Sequence, residues 1–232
     1  MSPCLAQDTL VVSVAEIPPW QSTISGSAEG IDIIIINKIA ASLGLKVKYE
    51  FCPFKRCLKQ LARGKSDIMG SLGQSKERAA YLDYLIPPYQ EFIKLFYVRR
   101  GEGRSIEAFE DMHGFRIGLI RGSIHFEPFD SSDKITRVPL DSYHQLFKML
   151  GLGRLDAVIT DHIEGPYNLK IEGFEDKLSL AKYQFVTEDS GYIAMSKKSK
   201  YITRKMEFDV ALKQMISSGE IDRLIKASLD NL

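Results

Sequence analysis

A chain of 232 residues with 44% hydrophobic content carries enough apolar side chain for one large or two small cores. Its 31 basic and 30 acidic residues leave a formal charge of +1, without the basic face that a nucleic-acid binder needs. The longest apolar run, Ile33 to Ile36, ends at Asn37 and Lys38, far short of the roughly 18 residues that read as a transmembrane helix.

The opening "MSPCLAQDTL" has no charged n-region and no apolar h-region, so it is not an intact signal peptide. "CLA" before Gln7 reads as the stub of a cleavage site with Ala6 at its last position, hence as a mature secreted domain with an added methionine; the alternative is an ordinary terminus. "LVVSVAE" (10–16) reads as a buried strand and "IPPWQ" as the loop that ends it. "GIDIIIINKIAASLGL" is 3.6-periodic and closed by Gly44, a helix. "KVKYEFC" alternates as a strand does, "PFKRCLKQLARG" is a helix between Pro53 and Gly64, and "SDIMGS" is a third strand. The order β-α-β-α-β argues for a parallel sheet with helices on its faces.

Of the three cysteines, Cys52 and Cys57 flank this second helix start. In an oxidising compartment they can bridge; otherwise they are two small core residues. Cys4 stands apart, and the histidines are too sparse for a zinc site.

The pattern then recurs. "FRIGLIRGS" resembles the first strand and its loop, and "YHQLFKMLGLGRLDAVITD" resembles "FKRCLKQLARGKSDIMGS". Each of the latter is a helix, a Gly with a basic residue, one further residue, an aspartate and an apolar strand. "EFIKLFYVRR" and "SGYIAMSKK" read as strands joining the halves, and the tail as two amphipathic helices split at Ser217 to Gly219. Two α/β lobes follow, with a ligand cleft beyond the carboxyl ends of the strands.

Those ends are "EIPPW", "GSLG", "RGSI" and "TDH". In "GSLGQSKERAAYLDY", Ser75 is a plausible N-cap, which places Lys76, Glu77 and Arg78 in the first helical turn. A cation there opposes the helix dipole, so Arg78 is either a solvated helix residue or aimed at a ligand carboxylate, which a guanidinium holds with two parallel hydrogen bonds. Ser71 can add a hydroxyl, and Gly73 permits close approach to the backbone. Ser123 and Ile124 offer N–H groups to a ligand or close a plain turn. Asp161 can meet a ligand ammonium, cap a helix, or both. Trp20 and Phe54 are apolar walls or core, and Glu16 is a further lining residue.

Enzyme signatures fail. Met69 stands where G-x-S-x-G needs its first glycine, and Lys59 where a P-loop does. The histidines, His113, His125, His144 and His162, are scattered; His162 and Glu164 are the only acid–base candidates near the expected cleft.

Six stretches in order, "PPW", "GIDIIIINKIAASLGLKV", "GKSDIMGSLGQSKERAAYLDYLIPPY", "FEDMHGFRIGLIRGS", "GRLDAVITD" and "SSGEIDRLIKASL", resemble the family 3 extracellular solute-binding proteins, the polar amino acid receptors of ABC importers. The resemblance runs from about Leu10 to the end. It implies a type II periplasmic-binding-protein fold, a two-lobe flytrap of α/β lobes, each a mainly parallel sheet flanked by helices. Lobe one would take residues 1–94 and 191–232, and lobe two residues 95–190. By the same resemblance Arg78 holds the ligand α-carboxylate with Ser71 and Gly73, lobe two supplies amides at Ser123 and Ile124, and Asp161 takes the α-ammonium. Two positions depart from the family pattern: Gly73 replaces the usual hydroxyl residue, and Ile17 stands where an aromatic platform is common.

The expected function is capture of a small zwitterion, an amino acid, by hinge closure and its delivery to an ABC permease. The protein would be an extracytoplasmic or periplasmic monomer with no cofactor, metal or nucleic acid. Two alternatives are an enzyme on the same scaffold, resembling cyclohexadienyl dehydratases, and the ligand-sensing domain of a larger receptor.

Overall fold

The computed structural model describes residues 8–24, 26–101 and 105–230. Cys4 and the cleavage stub at Ala6 lie outside them. The chain divides into two compact units. The first takes the chain up to Glu16, then Trp20–Gln90 and Ser190–Asp230; the second takes Ile17–Pro19 and Glu91–Asp189.

In the first unit β1 (Thr9–Val14) runs parallel to β4 (Lys46–Phe51) and to β5 (Ile68–Leu72). The end of β11 (Leu178–Ser196) lies antiparallel to β5 and to β6 (Leu82–Tyr84). A short hairpin, β2 (Ser22–Ile24) and β3 (Ser27–Glu29), precedes the first helix. The isoleucine run belongs to α1 (Ile31–Ser42), where Ile31, Ile35 and Ile39 share one buried face. Gly44, with φ 69, ends that helix as the sequence predicts. α2 (Phe54–Arg63) buries Phe54, Cys57, Leu58 and Leu61 at helical spacing and stops at left-handed Gly64. Cys52 and Cys57 are joined by a disulfide, which decides between the two readings open in the sequence. α6 (Lys205–Ser217) and α7 (Glu220–Asp230) are the two tail helices; both pack on α1.

In the second unit β10 (Ala157–Asp161) is parallel to β8 (Arg116–Ile120), β8 is parallel to β9 (Thr136–Leu140), and β7 (Gln90–Arg99) lies antiparallel to β10. Phe96, Ile117, Phe129 and Ile159 centre its core. α4 (Tyr143–Gly151) starts at Ser142, whose hydroxyl accepts the Gln145 N–H. β9, the hairpin and α5 (Glu164–Ile171) are elements the sequence reading does not supply. β11 begins well before the stretch "SGYIAMSKK".

The repeated Gly–x–x–Asp has one physical cause in both units. Gly64 and Gly153 take φ 70 and 73 to end their helices. The aspartate that follows then ties down the neighbouring parallel strand: Asp67 accepts the Val11 N–H at 2.8 Å, and Asp156 the Arg116 N–H at 2.8 Å. Asp67 also accepts the Ser199 hydroxyl at 2.6 Å, which pins the chain beyond β11.

A second buried carboxylate sets the end of β5. Asp32, 1% exposed, accepts hydrogen bonds from Gln21 (3.1 Å), Ser71 Oγ (2.8 Å) and Tyr89 OH (2.5 Å). Gly70 is required beneath it, since a Cβ there would stand 2.4 Å from the Asp32 carboxyl. The next residue, Ser71, is the non-glycine residue at positive φ among the described residues, 56°. Its N–H donates to Tyr89 OH at 2.9 Å, and its hydroxyl accepts from Gln90 at 3.0 Å. Burial pushes the Asp32 carboxyl up to about 7, against the opposing pull of the Tyr89, Ser71 and Gln21 hydrogen bonds.

Two outcomes are expected. Asp67→Ala strands a strand N–H and a buried hydroxyl and should lower unfolding free energy in urea by about 2–4 kcal/mol. For Asp32, the unfolded chain releases its proton near 3.9 while the folded chain holds it to about 7. Stability is therefore full below the lower value and falls as pH rises through the higher one. Wild type should lose on the order of 3 kcal/mol relative to Asp32→Asn between about pH 5 and pH 8. A flat difference in urea midpoints would refute the assignment.

Candidate functional site

Because β4, β1 and β5 are parallel, the residues that follow them collect at one end of the first unit's sheet. They are Phe54 after β4, Trp20 after β1, and Ser71 and Gly73 at and after β5. Arg78 lies in α3 (Lys76–Ala79), capped by Ser75, whose hydroxyl accepts the Arg78 N–H. Its side chain is not solvated but 4% exposed. Nη1 donates to the Gly73 carbonyl at 2.9 Å, and the guanidinium lies 5.6 Å from the Phe54 ring centroid, a cation–π contact. Phe54 is thus both buried and a wall for the arginine. The same local arrangement answers the dipole argument: the side chain folds back across the loop that precedes α3, onto the Gly73 carbonyl.

Other residues from the sequence reading sit deeper. Trp20, 3% exposed, meets Tyr89 edge to face at 6.0 Å, and its carbonyl accepts the Asp32 N–H at 2.8 Å. Ser71 spends its hydroxyl on Asp32 and Gln90. Glu16 accepts from the Thr23 N–H and hydroxyl at the surface.

In the second unit the parallel pair β8 and β10 brings the Ser123 loop and Asp161 to the same end. Ile17 is buried, 6% exposed. Of the two readings open for Ser123, the structure shows the turn: its N–H closes on the Ile120 carbonyl at 3.0 Å, so this amide is not open as the resemblance implied. Its hydroxyl donates to that same carbonyl at 2.6 Å and lies 2.9 Å from His125 Nε2. Ile124, half-buried, follows directly. Asp161 ends β10 and does not cap α5, whose N-cap is Ile163. It faces Lys94 across the antiparallel β10/β7 pair, and Lys94 Nζ donates to Asp161 Oδ1 at 2.7 Å. The sequence reading passes over Lys94, although a lysine in the apolar run "FIKLFYV" signals a buried partner. Asp32, Tyr89 and Gln90 are missed as well, because their roles depend on chain-distant packing.

The acid–base candidates are also placed in this unit. Glu164 is buried and accepts the Tyr143 hydroxyl, whose pKa is driven well above 10 by burial and then by the Glu164 charge. His162 has its pKa lowered, chiefly by burial.

The sequence matches bacterial extracellular solute-binding proteins, family 3, over residues 10–230. The probable histidine-binding protein of Neisseria gonorrhoeae is 28% identical over 227 residues, spanning 92% of this chain and 80% of that protein. The amino acid ABC transporter substrate-binding protein AbpA of Streptococcus pneumoniae, solved bound to L-arginine, superposes with a TM-score of 0.83 at 25% identity, covering 96% of this chain and 94% of that one. A mutant of ArgBP from T. maritima shares the fold, with a TM-score of 0.82 at 23% identity over 96% of this chain and 95% of that one. The architecture is the mixed α/β periplasmic binding protein type II fold. Among the described residues no helix is long and apolar enough to cross a membrane. The chain belongs to the family 3 bacterial extracellular solute-binding proteins, a family of non-enzymatic substrate-binding proteins.

Proposed function

We propose that the chain captures a free amino acid outside the cytoplasm, by hinge closure, and delivers it to an ABC permease. The observation that carries this is Arg78. A buried guanidinium, fixed by the Gly73 carbonyl and backed by the Phe54 ring, offers a planar fork to a carboxylate at the end of a parallel sheet. In this reading Asp161, with its carboxylate at the end of β10, takes the α-ammonium. Ile17 and Trp20 supply apolar surface, while Ser71, Gly73, Ser123 and Ile124 shape the loops. The histidine-binding relative and the arginine-bound structure support an amino acid as the ligand class.

Thermal unfolding against the twenty amino acids tests this. A ligand at about 100 times its dissociation constant adds roughly 2.7 kcal/mol, a rise of roughly 5–10 °C for a chain of this size. Arg78→Ala should abolish that rise, since losing the charged partner of a carboxylate costs about 2–5 kcal/mol of binding. An Arg78→Ala protein that keeps wild-type affinity would overturn the anchor.

A further inference from the structure

The Lys94–Asp161 pair is the feature of the second unit that an ammonium-binding acid does not require. The register of β7 against β10 sets Asp161 opposite Lys94, so the contact is built into the sheet and is not a chance surface meeting. The Lys94 side chain is 3% exposed and that of Asp161 16%. Nζ also sits 4.4 Å from the Phe92 ring centroid, which fixes the ammonium against an aromatic face. Asp130 and His162 lie within reach of its charge. The lysine takes one carboxylate oxygen, Oδ1, and a carboxylate can still accept at Oδ2.

We propose that Lys94 is a specificity-determining residue: by neutralising Asp161 from within the protein it lowers the preference for an α-ammonium over an uncharged α-hydroxyl, and so widens the ligand class from amino acids to 2-hydroxy acids. The inference rests on the reading of Asp161 as the subsite for the ligand's α-substituent. An ammonium arriving at Oδ2 meets the attraction of the carboxylate and, a few ångströms further, the repulsion of Nζ, which offsets a substantial part of it. A hydroxyl donates the same hydrogen bond and meets no repulsion. The lysine therefore weakens the charge assistance that ordinarily makes the ammonium bond the stronger of the two.

The test is calorimetric titration of wild type, Lys94→Met, Lys94→Arg and Asp161→Asn with matched pairs. The probes are L-histidine, L-arginine, L-leucine, L-glutamate and L-phenylalanine, each against its 2-hydroxy acid. Wild type should bind the two members of a pair within about tenfold of each other. Lys94→Met, which frees the carboxylate, should favour the amino acid by a further factor of at least about ten, while Lys94→Arg keeps the wild-type ratio. Asp161→Asn, which leaves the Lys94 charge uncompensated, should move the ratio toward the 2-hydroxy acid by about tenfold or more.

A wild-type preference for the amino acid of about a thousandfold would overturn the proposal without any variant, so it stays exposed even where Lys94→Met fails to fold. A folded, ligand-binding Lys94→Met with the wild-type ratio would overturn it too. Binding of neither class by any of the four proteins would instead refute the amino acid reading itself, and Lys94 would fall with it.

Discussion

The buried carboxyl of Asp32 is the constraint on which the end of the first unit's sheet beyond β5 depends. One side chain at the start of α1 collects hydrogen bonds from Gln21, Ser71 and Tyr89, groups otherwise separated along the chain. Satisfying it excludes a side chain at residue 70 and holds Ser71 at positive φ. That turn of the backbone determines where β5 ends, and so where Gly73 presents the carbonyl that Arg78 grips. An unsatisfied polar group in so enclosed a place would cost more than the hydrogen bonds contribute, so the cluster is held as a set.

The two units treat charge differently although they are built alike. The first seats a buried cation against a carbonyl and an aromatic ring. The second seats its acid on a lysine across a strand pair. The common skeleton, with an aspartate after each Gly turn clamping the adjacent strand, does not dictate either choice. Fold and site chemistry are therefore separable here, and what the site recognises has to be argued from side chains.

Much of the skeleton was legible in the sequence because its signals are local. Periodicity marked α1 and α2, glycines marked their ends, and the Gly–x–x–Asp repeat announced two similar units. β9 was not legible: "TRVPL" has a proline and only weak alternation, and its pairing with β8 supplies what propensity does not. α5 was hidden by a Gly–Pro at its start and by the absence of a side-chain cap. For the proposed site, the helix-dipole argument singles out Arg78, and the structure shows it buried at the start of α3. Asp32 reads as an ordinary charge until its partners arrive from elsewhere in the chain, while Lys94 signals burial from its apolar run but not which acid it meets. At Ser123 composition leaves a ligand amide and a plain turn both open, and only the packing of the Ile120 carbonyl decides for the turn.

The first unit is assembled from separated stretches of chain, with the second unit's main segment between them. This has a consequence for how the protein comes into being. β5 and β6 meet their antiparallel neighbour only when residues 192–196 exist, and α1 is covered only when α6 and α7 do. During synthesis from the N-terminus, the segment from Glu91 to Asp189 can therefore complete its sheet while the earlier strands still wait for their partner. The unit that begins the chain therefore cannot close its sheet until residues 192–196 are made, and it is built on long-range pairings of the kind that form slowly.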